Sequence, residues 1–376
     1  MKLNPIVERD GETRIRVMKG LELSKKQSLI GGFLLLLLIA AIDLTRLIPG
    51  IGYRSLHTGM AFGLAALGVN LLLRHLKLVS FGHAAFFGVS AYTIAVLVFH
   101  FGFQHVLPLI LVAVILGVTL AVVMGYFIAD YIGLYFALLT LAVNAILYYS
   151  VRRSAFFHRT DGLAVRADGQ RPTILGQQLS TELYELAIHM LTVVVLVGSL
   201  LFMWRLINSP YGQALNAIGQ NRVRAEFIGI RTKNYVWGAF TISAVFASFG
   251  GALWVLYRLH TGPEQSLFVF RSGEMLFAVI IGGIHTLTGP IIGGIILIFL
   301  LDNIHVYTSY FNAIIGLLLI LIVFFFPNGV IGSIDDINRE VKQLRRDPKQ
   351  SIRRMQAHIH AVVLMWYRNI RDIFSR

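Results

Sequence analysis

Three groupings of residues carry side chains that could act on a solute or a partner. Thr140, Asn144 and Tyr148 recur at i, i+4 and i+8 inside an apolar run, so they share one helical face. Hydroxyl and amide groups on a lipid-embedded helix must meet protein or a water-filled path, because hydrocarbon offers them nothing. Two readings stand: the stripe lines a path, or it bonds neighbouring helices at ~0.6 kcal/mol per contact. Ser80 and His83 put small and polar groups at a membrane boundary. His83 either touches a solute or fixes a helix start by bonding a neighbour's carbonyl. The third grouping is Arg222, Ala225, Glu226 and Gly229, in a polar stretch between two apolar runs, where the chemistry is docking. Bond-making chemistry finds no support. The chain lacks G-x-x-x-x-G-K-[ST], H-E-x-x-H and G-x-S-x-G, so no phosphate cradle, zinc helix or nucleophile elbow is expected. It has no cysteine and its 12 histidines are scattered, so no catalytic residue, metal site or cofactor is expected.

The elements that must position these groups are membrane helices. The 376 residues are 56% hydrophobic and 14% charged, with a mean hydropathy of +0.71; about 25% charged is usual in soluble domains. Repeated runs near the ~20 residues that span hydrocarbon predict an all-α, polytopic membrane protein. The net charge of +14 gathers in the two termini beside spans, as the positive-inside rule describes, so nucleic acid is not an expected partner. The basic segment 1–28 does not read as a signal peptide and would hold the N-terminus in the cytoplasm.

The expected crossings are 29–48, 56–73, a third beginning near Leu78, 107–129, 132–150, 185–206, 235–256, 273–283, 289–301 and 313–326. Ten crossings put both basic ends in the cytoplasm, whereas counting 273–301 as one would leave the C-terminus outside. Gly59 with Gly63, and Ala247 with Gly251, read as close-packing pairs. Asp43 and Glu274 are the charges expected inside spans, both placed near span ends. So few buried ionisable groups argue against a self-sufficient secondary transporter or channel. Beyond the permease region, taken as 29–333, the tail 334–376 carries apolar residues every three or four positions opposite arginines. That pattern suits a basic amphipathic helix on anionic lipid.

Between the sixth and seventh crossings, segment 207–234 is too long for a plain connection, which needs about 2–8 residues. Ser209-Pro210 reads as an N-cap with proline at the first helical position. Asn221 reads as the cap of a second short helix stopped by Gly229, with Val223 and Phe227 on one face. Arg222, Arg224, Arg231 and Lys233 are expected to face water.

Several stretches resemble one family. Ser80-Phe-Gly-His-Ala-Ala-Phe-Phe-Gly-Val-Ser-Ala-Tyr92 is similar to the "SxGHAAFFGxGAY" stretch of the LivM-type permeases of branched-chain amino acid ABC importers. Ser209 through Ile230, with Arg224-Ala-Glu-Phe-Ile-Gly-Ile230, resembles the family's coupling segment, although Phe227 stands where a small residue is usual. Thr160-Asp-Gly-Leu163 resembles its external loop, with Arg159 and Thr160 in place of glycines. Gly282 to Pro290 and Pro327 to Gly332 also match. The resemblance implies an ABC-importer permease fold in the cell membrane. It further implies a second homologous permease, two cytoplasmic ATPase subunits and an extracytoplasmic substrate-binding protein. Branched-chain or related small amino acids are the implied substrates; urea and short amides are the alternative. It implies that Arg222, Ala225, Glu226 and Gly229 couple to the ATPase, that hydrolysis lies in that separate subunit, and that no cofactor is held here. The sequence offers no obvious buried acid–base pair for an amino acid's two charges.

Overall fold

The computed structural model describes residues 6–9, 12–18, 21–24, 53–307 apart from 168 and 175, and 316, 317, 320 and 329–331. Its N-terminal segment forms three short antiparallel strands in the order β1 (Ile6–Arg9), β2 (Glu12–Met18) and β3 (Leu21–Ser24), which hydropathy alone did not suggest.

The centre of the molecule is α1 (Tyr53–Leu71), extended by a π turn over Leu72–Leu76. Arg74 lies in that last turn, where positive charge suits the terminal carbonyls. The turn ends at Lys77 with φ 57°. After α1 come α2 (His83–Phe99), α3 (Val106–Ile128), α4 (Gly133–Arg153) and α5 (Thr181–Ile207). Two short helices follow, α6 (Pro210–Gln220) and α7 (Arg222–Phe227), then the long α8 (Thr232–Arg258). The chain closes with α9 (Pro263–Ser266), α10 (Val269–Gly282) and α11 (Gly289–Tyr307).

Among the described residues, six segments are long and apolar enough to cross a membrane, and His83–Phe99 and Gly289–Asp302 are shorter apolar helices. These eight occupy the second to ninth expected crossings. The first and tenth lie outside the described residues apart from 316, 317 and 320, as do Asp43 and the amphipathic tail. Two boundaries need correction. The eighth crossing does not begin at Gly273, because α10 starts at Val269 and α9 begins the apolar segment at Pro263. The ninth runs on to Tyr307 rather than ending at Leu301.

Burial separates a core from a rim. The apolar window of the α1 span is 94% buried, whereas those of α3 and α4 are 33% buried. Leu111, Val123 and Phe127 of α3 are exposed, a face suited to lipid. α8 packs on α1, α2 and α3, and α11 packs on α1 and α10. Small residues permit these contacts, which is how helices associate where lipid is as apolar as leucine. A Cβ on Gly59 or Gly63 would stand 2.7 Å from the Cα of Ile295 or Ile291. One on Gly251 would stand 2.0 Å from Phe87 O.

Outside the bundle, strand β4 (Leu163–Ala164) pairs with β5 (His260–Thr261), tying the loop after α4 to the corner between α8 and α9.

Candidate functional site

The polar stripe of α4 faces protein. Thr140, Asn144 and Tyr148 are all buried. Thr140 Oγ1 accepts from Phe81 N at 3.2 Å and donates to Ala137 O at 2.9 Å. Asn144 Nδ2 donates to Leu267 O at 3.1 Å, and its Oδ1 has no partner. Tyr148 donates to Glu264, which also lies 3.6 Å from Arg152. The stripe therefore backs onto the start of α2 and onto α9. Ser80 and His83 join it from below, both with no exposed surface. His83 does not bond a carbonyl. Its Nδ1 is 3.0 Å from Ser80 Oγ and its Nε2 is 3.1 Å from Ser243 Oγ. Ser243 donates to Phe240 O, so it accepts from His83 Nε2, leaving Nδ1 to accept from Ser80. In Thr140, Asn144, Tyr148 and His83 the geometry favours bonding between elements, while Ser80 bonds locally, to Gly82 N and His83.

Segment 207–234 has the caps and the stop its sequence implied. Ser209 caps α6 by accepting from Gly212 N, with Pro210 at the first position. Asn221 Oδ1 caps α7 by accepting from Arg224 N at 2.9 Å. Gly229 has φ +88°, and Ile230 N closes the turn on Ala225 O. α6 rests on the foot of α1: His75 Nδ1 lies 2.7 Å from Asn216 Oδ1, and a Cβ on Gly219 would meet His75 O at 2.0 Å. Tyr211 donates to Tyr235 O at 2.9 Å, and burial, then the neighbouring Tyr235, raises its pKa, which keeps that donor protonated.

One residue of this segment does not face as expected. Arg222 turns away from water and clamps the end of α3, donating to Ala129 O and Asp130 O at 3.2 Å each. The last carbonyls of a helix need such partners. Its Nε reaches Thr232 Oγ1, which donates to Glu226 at 2.5 Å. Lys233 pairs with Asp130 at 2.5 Å at the surface, where both side chains stay exposed. Ala225 is buried against the bundle. The outward surface is Val223, Phe227 and Ile228, with Phe227 87% exposed.

A further grouping was missed in the sequence. Arg271 Nη1 and Glu274 Oε2 are 2.6 Å apart on α10, with side chains 27% and 19% exposed. Glu274 lies five residues after the start of α10, about 7.5 Å along the axis. It stands eight residues before Gly282, about 12 Å along the helix axis at 1.5 Å per residue. Arg271 lies over the Phe62 ring, 5.7 Å from its centroid. Phe62 is nine residues into α1, about 13 Å along it. Nearer the start of α1, Ser55 donates to Asp302 at 2.6 Å. Arg54, Asp302 and Arg271 all lie within electrostatic reach of Arg258.

Comparison with known proteins decides the class. A profile of the branched-chain amino acid transport system / permease component family matches residues 53–323. The chain belongs to that family. Among its relatives, the high-affinity branched-chain amino acid transport system permease protein LivM of Escherichia coli K12 is 24% identical over 294 residues, covering 72% of this chain and 68% of the relative. The LivM of Salmonella typhimurium matches to the same extent. The LivH permease protein of Salmonella typhimurium is 31% identical over 127 residues, 33% of this chain and 40% of the relative. No solved structure matches significantly. The permease is thus a multi-pass membrane protein and a transport component rather than an enzyme. The matched region holds the whole polar stripe, the docking segment and the Arg271–Glu274 pair. Two charges three residues apart inside an apolar segment were the sequence signal for that pair. Starting the crossing at Gly273 hid it by leaving Arg271 outside and Glu274 at the edge.

Proposed function

We propose that this permease is one of two membrane subunits of an ATP-driven importer for branched-chain or closely related small amino acids. The observation that carries the reading is the family match across residues 53–323. The outward apolar face of α7 supports it: helices under ~12–15 residues are marginal alone in water, and a groove on an ATPase would give this one a seat. The likeness to both LivM and LivH proteins supports a second, homologous permease as partner. In the arrangement proposed, two ATPases bind on the cytoplasmic side, and a binding protein delivers substrate to the external loop after α4. Both termini lie in the cytoplasm of a ten-crossing chain, with segment 1–28 preceding the 29–333 permease region and the basic tail 334–376 on the lipid surface. Substrate crosses between the two permeases while Arg222, Ala225, Glu226 and Gly229 hold and orient the coupling helix.

The test is uptake into proteoliposomes holding both permeases and the ATPases, with binding protein outside. Leucine uptake that requires ATP, the binding protein and every subunit is expected. Uptake of urea in place of leucine would remove the amino acid reading. Leucine transport by this chain without any ATPase would remove the ABC reading.

A further inference from the structure

An amino acid crossing a membrane must keep partners for a carboxylate and an ammonium, because an unpaired charge in a low-dielectric setting is costly. Among the described residues, α10 carries groups of both signs inside an apolar segment, both partly accessible. On α10, Phe270, Gly273, Glu274 and Phe277 recur at three or four positions and share a face. Phe270 and Phe277 are exposed, at 67% and 37%. Gly273 between them leaves a notch, since a Cβ there would meet only Phe277, at 4.0 Å. Arg271 and Glu274 border this notch as an ion pair that remains partly accessible. Ionisable residues within a membrane segment mark a functional site more often than packing.

We propose that Arg271 and Glu274 form a substrate subsite of the transport path, receiving the carboxylate and the ammonium of one amino acid zwitterion. The proposal rests on the importer reading and names the chemistry of its selectivity. In the empty state the two side chains neutralise each other. A zwitterion exchanges that one pair for two, with the Arg271 fork on the carboxylate and Glu274 on the ammonium, and leaves the net charge unchanged. Phe270 and Phe277 then offer apolar walls to a branched aliphatic side chain. A neutral amide such as urea gains nothing from opening the pair, and a singly charged analogue would leave one dehydrated group unmatched. The charges near the start of α1, Arg54, Arg258 and Asp302, give the approach groups of both signs as well.

The experiment uses the reconstituted complex and labelled L-leucine. ATP-driven uptake by the wild type comes first; its absence, or uptake of urea instead, would be seen before any variant and would count against the importer reading and this subsite together. With leucine uptake in hand, Glu274→Gln and Arg271→Gln are each expected to lower it at least tenfold at saturating binding protein. Gly273→Leu, which fills the notch and alters neither charge, is expected to do the same. The double variant Arg271→Glu, Glu274→Arg keeps an i, i+3 pair but reverses its poles, and its uptake is expected to stay at least tenfold down. Wild-type uptake by the reversed pair, or by both glutamine variants, would overturn the proposal. So would loss of assembled complex in the glutamine variants that the reversed pair repairs, because the pair would then be helix glue.

Discussion

Asn144 shows how a single side chain is read differently once its surroundings are known. As one of three polar residues on a face, it fitted a path or a joint equally. In place, it donates to Leu267 O with no surface exposed, so its work is to hold α4 against the segment leading into α10. Asn144→Leu removes one buried bond and leaves a carbonyl without its donor. The cost expected is about 0.6–1.7 kcal/mol, the range for polar contacts between membrane helices. It should appear as a lower melting temperature in detergent, with leucine uptake per assembled complex retained. A stable variant with uptake abolished would return Asn144 to the path. His83 was legible only in part: its position at a helix start was plain, while its partners, Ser80 and Ser243, include one 160 residues away that no local pattern reveals. Arg222 went the same way. An arginine in a polar loop reads as solvated, and only the arrival of the α3 terminus beside it supplies the carbonyls it bonds.

At the level of elements, the docking segment was the most readable part because its signals are local. Ser209-Pro210, Asn221 and Gly229 are caps and stops whose chemistry lies within a few residues. What the pattern left open was which face of α7 turns outward. Ala225 inward and Phe227 outward settle that face, and the clamp of Arg222 on α3 fixes it without using the exposed residues. Phe227→Asp is therefore expected to leave the unfolding free energy within about 0.5 kcal/mol of wild type, as surface changes do. It should abolish co-purification of the ATPase subunit. Retained co-purification would show that α7 is not the seat. Crossing boundaries were less readable, since α9 and α10 form one apolar segment broken by a turn. A break at Leu267 leaves no mark in hydropathy.

For the whole molecule, the order and number of apolar runs carried the fold class, because hydrocarbon thickness imposes the length of each. Orientation can be checked in this cysteine-free chain with one cysteine at Arg166, exposed in the loop after α4, and one at Arg224, exposed on α7. An impermeant maleimide added to intact cells is expected to label only the first. Labelling of the second would invert the topology and put α7 on the wrong side for an ATPase.

The seat of α6 on the foot of α1 has a mechanical meaning. Gly219 meets His75 backbone against backbone, so no side chain stands between them to bend out of the way. Close-packed interiors compress little. In the coupling proposed above, a thrust on α6 passes into α1, whose next close contacts are Gly68 against α8, then Gly63 and Gly59 against α11, with the ring of Phe62 among them. From His75 to Phe62 is thirteen residues, about 20 Å of axis at 1.5 Å each. The π turn at Leu72–Leu76 departs from α-helical winding along this line, which makes those five residues its natural spring. In that proposed coupling, how stiffly they are wound sets how much of a stroke at α6 reaches Phe62, under Arg271.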